Sequence, residues 1–147
     1  MILQTTTDIN LIKNIMTDND IWEKISADGD TKDGFNPVLP ENVTVLSAVV
    51  DSVIGLHIFT QHSDRVLYHP MLLKEYRNSH GRVFFKKGLE WFFDNTSSDV
   101  LEAEIPVNHI STINLAEKLN FKKINTKRDG IKKDGQLIDL QVLRLDK

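Results

Sequence analysis

The chain has 147 residues, 40% hydrophobic and 27% charged, a length and balance that suit one soluble globular domain, 1–147, with a core of its own. It contains no cysteine, which excludes disulfides, thiolate metal sites, iron–sulfur clusters and a cysteine nucleophile. The net charge of −3 argues against a generic nucleic-acid binder, which carries a basic excess, and no apolar run reaches the roughly 18–20 residues of a membrane span.

Residues 1–5 read as a short strand. Asp8, with Thr7 as the alternative, is the expected cap of a first helix, because Ile9, Ile12, Ile15 and Met16 follow at helical spacing. Asn19 or Asp20 is the expected cap of a second, short helix carrying Ile21, Trp22 and Ile25. Residues 26–42 are polar, contain Gly29, Gly34, Pro37 and Pro40, and read as a loop. The character then turns to β. Residues 43–50 and 53–60 are rich in β-branched side chains around an Asp51-Ser52 turn, and a third strand follows at 65–69 after Ser63-Asp64. Short connections between them imply an antiparallel meander.

A polar loop, 74–81, leads into a helix expected from about Arg82 to Asn95. Phe84, Gly88, Trp91 and Phe92 share one face, and Phe85, Leu89 and Phe93 broaden it, so this helix is buried. Residues 100–105 alternate as a strand, and 109–119 read as a helix with Ile113, Ala116 and Leu119 inward. Two strands, 121–124 and 137–145, close the chain around a charged segment. Asp129-Gly130 and Asp134-Gly135 are turn signals within that segment. The fold class is therefore α+β on a mixed sheet, in the order β-α-α-β-β-β-α-β-α-β-β.

That order resembles the GNAT superfamily of N-acetyltransferases over nearly the whole chain, closest to small phage-encoded GNAT-like proteins. Three segments carry the resemblance. Leu72-Leu73-Lys74-Glu75-Tyr76-Arg77 is similar to the family's strand exit, often Val-x-Pro-Glu-Tyr-Arg. A buried helix follows it directly. Ile105-Pro106-Val107-Asn108-His109 through Leu119-Asn120-Phe121 is similar to the family's strand, helix start and terminal Gly-Phe.

The resemblance implies acetyl-CoA as co-substrate and direct transfer of its acetyl group to an amine. It places the pyrophosphate on the loop Arg77-Asn78-Ser79-His80-Gly81-Arg82, where main-chain N–H groups and a helix N-terminus attract anions. The family has small residues where His80 and Arg82 stand, with Gly81 between them. Side chains of Ser79, His80 and Arg82 are the substitute ligands. The main chain of Met71, Leu72 and Leu73 is expected along the pantetheine arm, polarising the thioester as an oxyanion hole does. Two parallel strands, one leading to Leu72 and one ending at Ile105, are expected to splay around that arm. The family's helix-start Asn falls on His109, with Asn108 before it, and its proton-donating Tyr falls on Ala116. That departure motivates an alternative, a catalytically inactive GNAT-fold phage protein acting by protein contact. A small-molecule or protein amine acceptor, a homodimer, and a phage or host protein are the partners the resemblance allows. Cytoplasm, that of a host cell if the chain is phage-encoded, is the expected location.

Amine acylation needs a proton acceptor, and imidazole titrates near neutrality. His69, just before the thioester position, is the first candidate, with a core or turn histidine beside Pro70 as the bland reading. His57 on the neighbouring strand and Glu104 on the opposed strand are the others; Glu102 shares the face of Glu104 and can be merely solvated. The five histidines show no helical metal-ligand spacing, so no metal is expected. Asp28 to Gly34 imitates a calcium loop with wrong spacing and Leu39 at the twelfth position. Lys122, Lys123, Lys127, Arg128, Lys132 and Lys133 form the one basic cluster, read as a solvated hairpin or, as the weaker alternative, a patch for nucleic acid or another acidic partner.

Overall fold

A computed structural model describes residues 1–147 and shows the expected element order. The chain runs β1 (Ile2–Thr5), α1 (Ile9–Met16), α2 (Asn19–Ile25), β2 (Val43–Val49), β3 (Val53–Gln61) and β4 (Val66–Leu72). After a single 3-10 turn at Lys74–Tyr76 come α3 (Arg77–Asn95), β5 (Val100–Pro106), α4 (Ile110–Lys118), β6 (Lys122–Lys133) and β7 (Gln136–Asp146). The seven strands form one sheet in the order β1-β2-β3-β4-β5-β7-β6. Every neighbouring pair is antiparallel except β4 and β5.

Apolar periodicity determines which face each helix covers. Ile12, Ile15 and Ile21 of α1 and α2 pack on Val45, Leu56 and Met71. Leu89 and Phe92 of α3, with Ile113 and Ala116 of α4, pack on the opposite face against Phe59, Tyr68, Leu101 and Leu143. Phe84 and Phe92 are 0% and 1% exposed, and each such ring stabilises the fold by about 1.5–3 kcal/mol. No helix is long and apolar enough to cross a membrane.

Three boundaries differ from the sequence reading. The cap of α2 is Asp18, whose Oδ1 accepts from Asp20 N (3.1 Å) and Ile21 N (3.2 Å), so Asn19 and Asp20 lie inside the helix. α3 begins at Arg77 rather than Arg82, because the 3-10 turn before it already aims the chain into a helix and five of residues 77–82 are non-glycine. β6 runs to Lys133. Its lysines hide the strand pattern, since an edge strand exposed on both faces needs no apolar alternation. Asp134-Gly135 is the hairpin turn, with φ of 53° and 74°. Asp129, φ 52°, instead marks a bulge, where the β6–β7 register shifts between Lys127 and Ile131. Asn120 ends α4 with φ 72°, the left-handed position expected there.

His57 is a structural residue. It is 0% exposed, its ring stacks on Phe84 at 4.0 Å, and its Nδ1 shares a 2.8 Å hydrogen bond with the Tyr68 hydroxyl. Gly88 of α3 makes the space, because a Cβ there would collide with Cε1 and Nδ1 of His57 and stand 2.9 Å from its Nε2. Gly88→Ala is therefore expected to lower the unfolding free energy by about 1–3 kcal/mol, read as a lower urea midpoint at unchanged slope.

Burial pushes the His57 imidazole down to about 3. The unfolded chain protonates this histidine near pH ~6.5, while the folded chain keeps it neutral until far lower. The unfolded state thus binds more protons in that window, and stability falls as pH drops through it. Denaturation at pH 6.5 and 5 should show the wild type losing about 1.5 kcal/mol more than His57→Gln.

Candidate active site

The site begins as a break in the sheet. β4 and β5 pair at one register position, Leu67 with Glu102, and then part. Leu73 N–H donates to Ile54 O of β3 at 3.0 Å. Antiparallel alternation therefore turns Met71 toward β3 and Leu72 away from it, toward the gap. Of the three residues expected to offer main chain, only Leu72 presents an N–H there; Leu73 and Met71 face β3. The gap is a cleft of roughly 420 Å³, walled by β4, β5, α2, α4 and the β6–β7 hairpin. Met71 and Leu72 line it with their side chains.

His69 and Glu104 line the cleft together. The His69 side chain keeps contact with solvent, yet the walls displace enough water that desolvation dominates. Its pKa lies below the ordinary histidine value, with the Glu104 carboxylate pulling it up and His62 pushing it down. His69 is thus a neutral base at neutral pH. Glu104, 12% exposed, accepts from Arg65 Nη2 at 3.3 Å and faces Lys127 Nζ at 3.8 Å. Both of its carboxylate oxygens thus face cations. Glu102 is buried, lies outside the cleft wall, and stands opposite Arg144 in the β5–β7 register. His57 lies under α3 and does not line the cleft, which corrects its assignment as a catalytic candidate.

The sequence reading missed Tyr68, Lys24, Arg65 and Lys127. Tyr68 lines the cleft on the α3 side, and burial raises its hydroxyl above the ordinary tyrosine value. The strand alternation at 66–72 was its signal: it places Tyr68 and His69 on opposite faces. Lys24 lines the wall from α2, at a position no spacing rule relates to β4.

Arg77 lines the cleft but is engaged elsewhere. Its Nε donates to Leu72 O at 3.1 Å and its guanidinium pairs with Asp20. That pair comes first among the causes that hold Asp20 below the usual carboxylate range. Asn78, Ser79, His80, Gly81 and Arg82 are the opening turns of α3 rather than a loop, and they lie outside the cleft wall. No side chain caps this helix, and the nearest atom to a Cβ at Gly81 would be Leu72 Cδ2 at 4.0 Å. Ser79 Oγ and His80 Nδ1 share a 2.7 Å hydrogen bond. His109, not Asn108, caps α4 and lines the cleft, and Asn108 lines a smaller pocket beside it with Lys24. Burial, then Lys24 and Lys133, keep the His109 imidazole below its ordinary value.

The β6–β7 hairpin roofs the cleft with Ile131 and Leu140, and its tip is fastened to the loop after α2. The Asp28 carboxylate accepts from Asp134 N and Gly135 N, each at 2.8 Å. Lys133 Nζ donates to Glu23 O, Ser26 O and Ser26 Oγ at 2.9–3.0 Å. The segment that imitates a calcium loop is thus a clasp.

No family model and no curated relative matches the sequence. Among solved structures, the chain is similar to ribosomal-protein-alanine N-acetyltransferase from Brucella melitensis, with TM-score 0.76, 16% identity and 100% of both chains covered. It is similar to spermidine N-acetyltransferase from Vibrio cholerae in complex with CoA and spermine, with TM-score 0.80 and 12% identity over 99% of this chain and 94% of that one. An N-acetyltransferase from Staphylococcus aureus Mu50 gives 0.72 and 14% over 99% and 96%. At such identities the likeness is one of fold: the chain has the GNAT acyltransferase fold.

The two amide bonds of the clasp hold Asp28 below the usual carboxylate range. Asp28→Ala should raise hydrogen exchange at the Asp134 and Gly135 amides by about tenfold while leaving β2–β3 amides unchanged.

Proposed function

We propose that the chain is an acetyl-CoA-dependent N-acetyltransferase that moves an acetyl group directly to an amine. The observation that carries this reading is the parted β4–β5 pair, with the Leu72 N–H turned away from β3 toward the gap and His69 lining it. The residues present suit the co-substrate. The apolar gap takes an extended arm, and the Asn78, Ser79 and Arg82 side chains on the opening turns of α3 take phosphate oxygens. Acetyl-CoA supplies the acetyl group as an activated thioester.

In this reading Leu72 N–H polarises the thioester carbonyl. His69, directly or through one water, removes the proton that makes the amine an ammonium. The nitrogen lone pair forms the C–N bond, the C–S bond breaks, and the sulfur takes a proton from water, since Ala116 has none to give. Without cysteine, no acetyl-enzyme on a thiol intervenes. Glu104 tunes His69 rather than replacing it.

Calorimetric titration with acetyl-CoA tests the reading; absence of heat at millimolar ligand would sink it. His69→Ala should lower kcat by about 10²–10⁴-fold. The acidic limb of the wild-type kcat profile should fall below pH ~6.5. Because the Glu104 charge raises the His69 pKa, Glu104→Gln should move that limb to still lower pH, whereas a Glu104 acting as the base would abolish it.

A further inference from the structure

We propose that the acceptor is a monoamine on an apolar body, and that the cleft is built against polyamines. This rests on the acetyltransferase reading above and adds the class of its second substrate. A polyamine presents its reacting amine while one or more further ammonium groups remain charged. Each of those needs a carboxylate free to receive it, because an unpaired cation is costly to desolvate.

Glu104 is the one carboxylate in the cleft lining, and Asp20 pairs with two of the lining cations; both are engaged twice. Glu104 faces Arg65 and Lys127. Asp20 faces Arg77 and Lys24. Two of those four cations, Lys24 and Arg77, themselves line the cleft beside Glu104, so the wall repels a second positive charge. Glu102 is buried outside the wall. With the α4 side taken by the acetyl-CoA arm, what remains for the acceptor is apolar surface: Ile21 and Ile25 from α2, and Ile131 and Leu140 from the roof. A primary amine carried on an aromatic or aliphatic body matches that wall and leaves no cation unpaired after its nitrogen becomes an amide. The reaction stays balanced as before: one C–N bond forms, one C–S bond breaks, one proton leaves nitrogen and one reaches sulfur.

Lys127 is then a specificity-determining residue, because it closes the Glu104 carboxylate to other cations. Ile131 is a second, because it presents methyl groups where a carboxylate would invite an ammonium.

The test compares phenethylamine with spermidine, by kcat/KM with acetyl-CoA and by calorimetric binding of each amine to the CoA-loaded protein. The expected result is a preference for phenethylamine of about tenfold or more in both readouts. Lys127→Met should shrink the preference, and so should Ile131→Asp, which adds an unpaired carboxylate and does not disturb Glu104. Equal or better use of spermidine by the wild type would overturn the proposal while leaving the acetyltransferase reading intact. An unchanged preference in both variants would overturn the roles of Lys127 and Ile131. Failure to bind acetyl-CoA would overturn both readings together.

Discussion

The single contact between β4 and β5 is the constraint on which the rest of the structure depends. Two parallel strands joined at one register pair cannot hold a sheet together by main-chain hydrogen bonds. The two halves are instead tied by side chains that cross the break. Phe59 and Tyr68 from the first half share a cluster with Leu101, Ala103 and Leu143 from the second, covered by α3 and α4. Arg77 adds a polar tie within the first half, joining Leu72 of β4 to Asp20 of α2. The hairpin clasp, Asp28 and Lys133, adds one more between α2 and β6–β7. The shared cluster and the clasp are what fix how the two halves sit across the gap.

The same geometry sets the electrostatics. Opening the sheet leaves His69 beside displaced water and a paired carboxylate, and desolvation lowers its pKa while Glu104 limits the fall. His57, a few residues away in the neighbouring strand, meets the same physics without the carboxylate and is driven down to about 3. One histidine faces a cleft. The other faces Gly88 and Phe84 and is held neutral as part of the core. Their residue type is identical; the strand face they occupy decides their roles.

The element order and both helix-covered faces were legible because apolar periodicity reports burial directly: the Ile9–Met16 stripe and the Phe84–Phe92 face each marked a packed surface. β6 was not legible, since an edge strand with polar residues on both faces carries no such signal. The start of α3 was obscured because Arg77–Arg82 lacks apolar residues and the helix there is held by the preceding turn. At the site, His69, Leu72 and Glu104 could be placed from the sequence, since all three lie on the strands that part. His57 was misassigned because strand alternation says which residues share a face but not which face holds the cleft. Arg65, Lys127 and Lys24 come together only through register and helix placement, over separations that no local pattern spans.

Arg77 and the opening turns of α3 show how main-chain chemistry survives side-chain divergence. His80 and Arg82 stand where the fold's usual pattern has small residues, and in a loop their Cβ atoms would block close approach to a phosphate. In a helix those atoms point along the flank, and the Arg77 N–H at its start donates to Lys74 O of the preceding turn. What attraction this end has for an anion comes from the helix dipole, which does not depend on the residues in its first turn. The same holds at Leu72, whose N–H direction follows from pairing with β3 and not from its side chain. The groups proposed to hold and polarise the thioester are thus insulated from substitution, while the groups that would choose the acceptor, Lys127, Ile131 and Leu140, sit on a hairpin joined to the core through β7 and a clasp. In that reading chemistry rests on β4 and selectivity on the hairpin, and the two meet at Glu104, which Lys127 faces and which raises the His69 pKa.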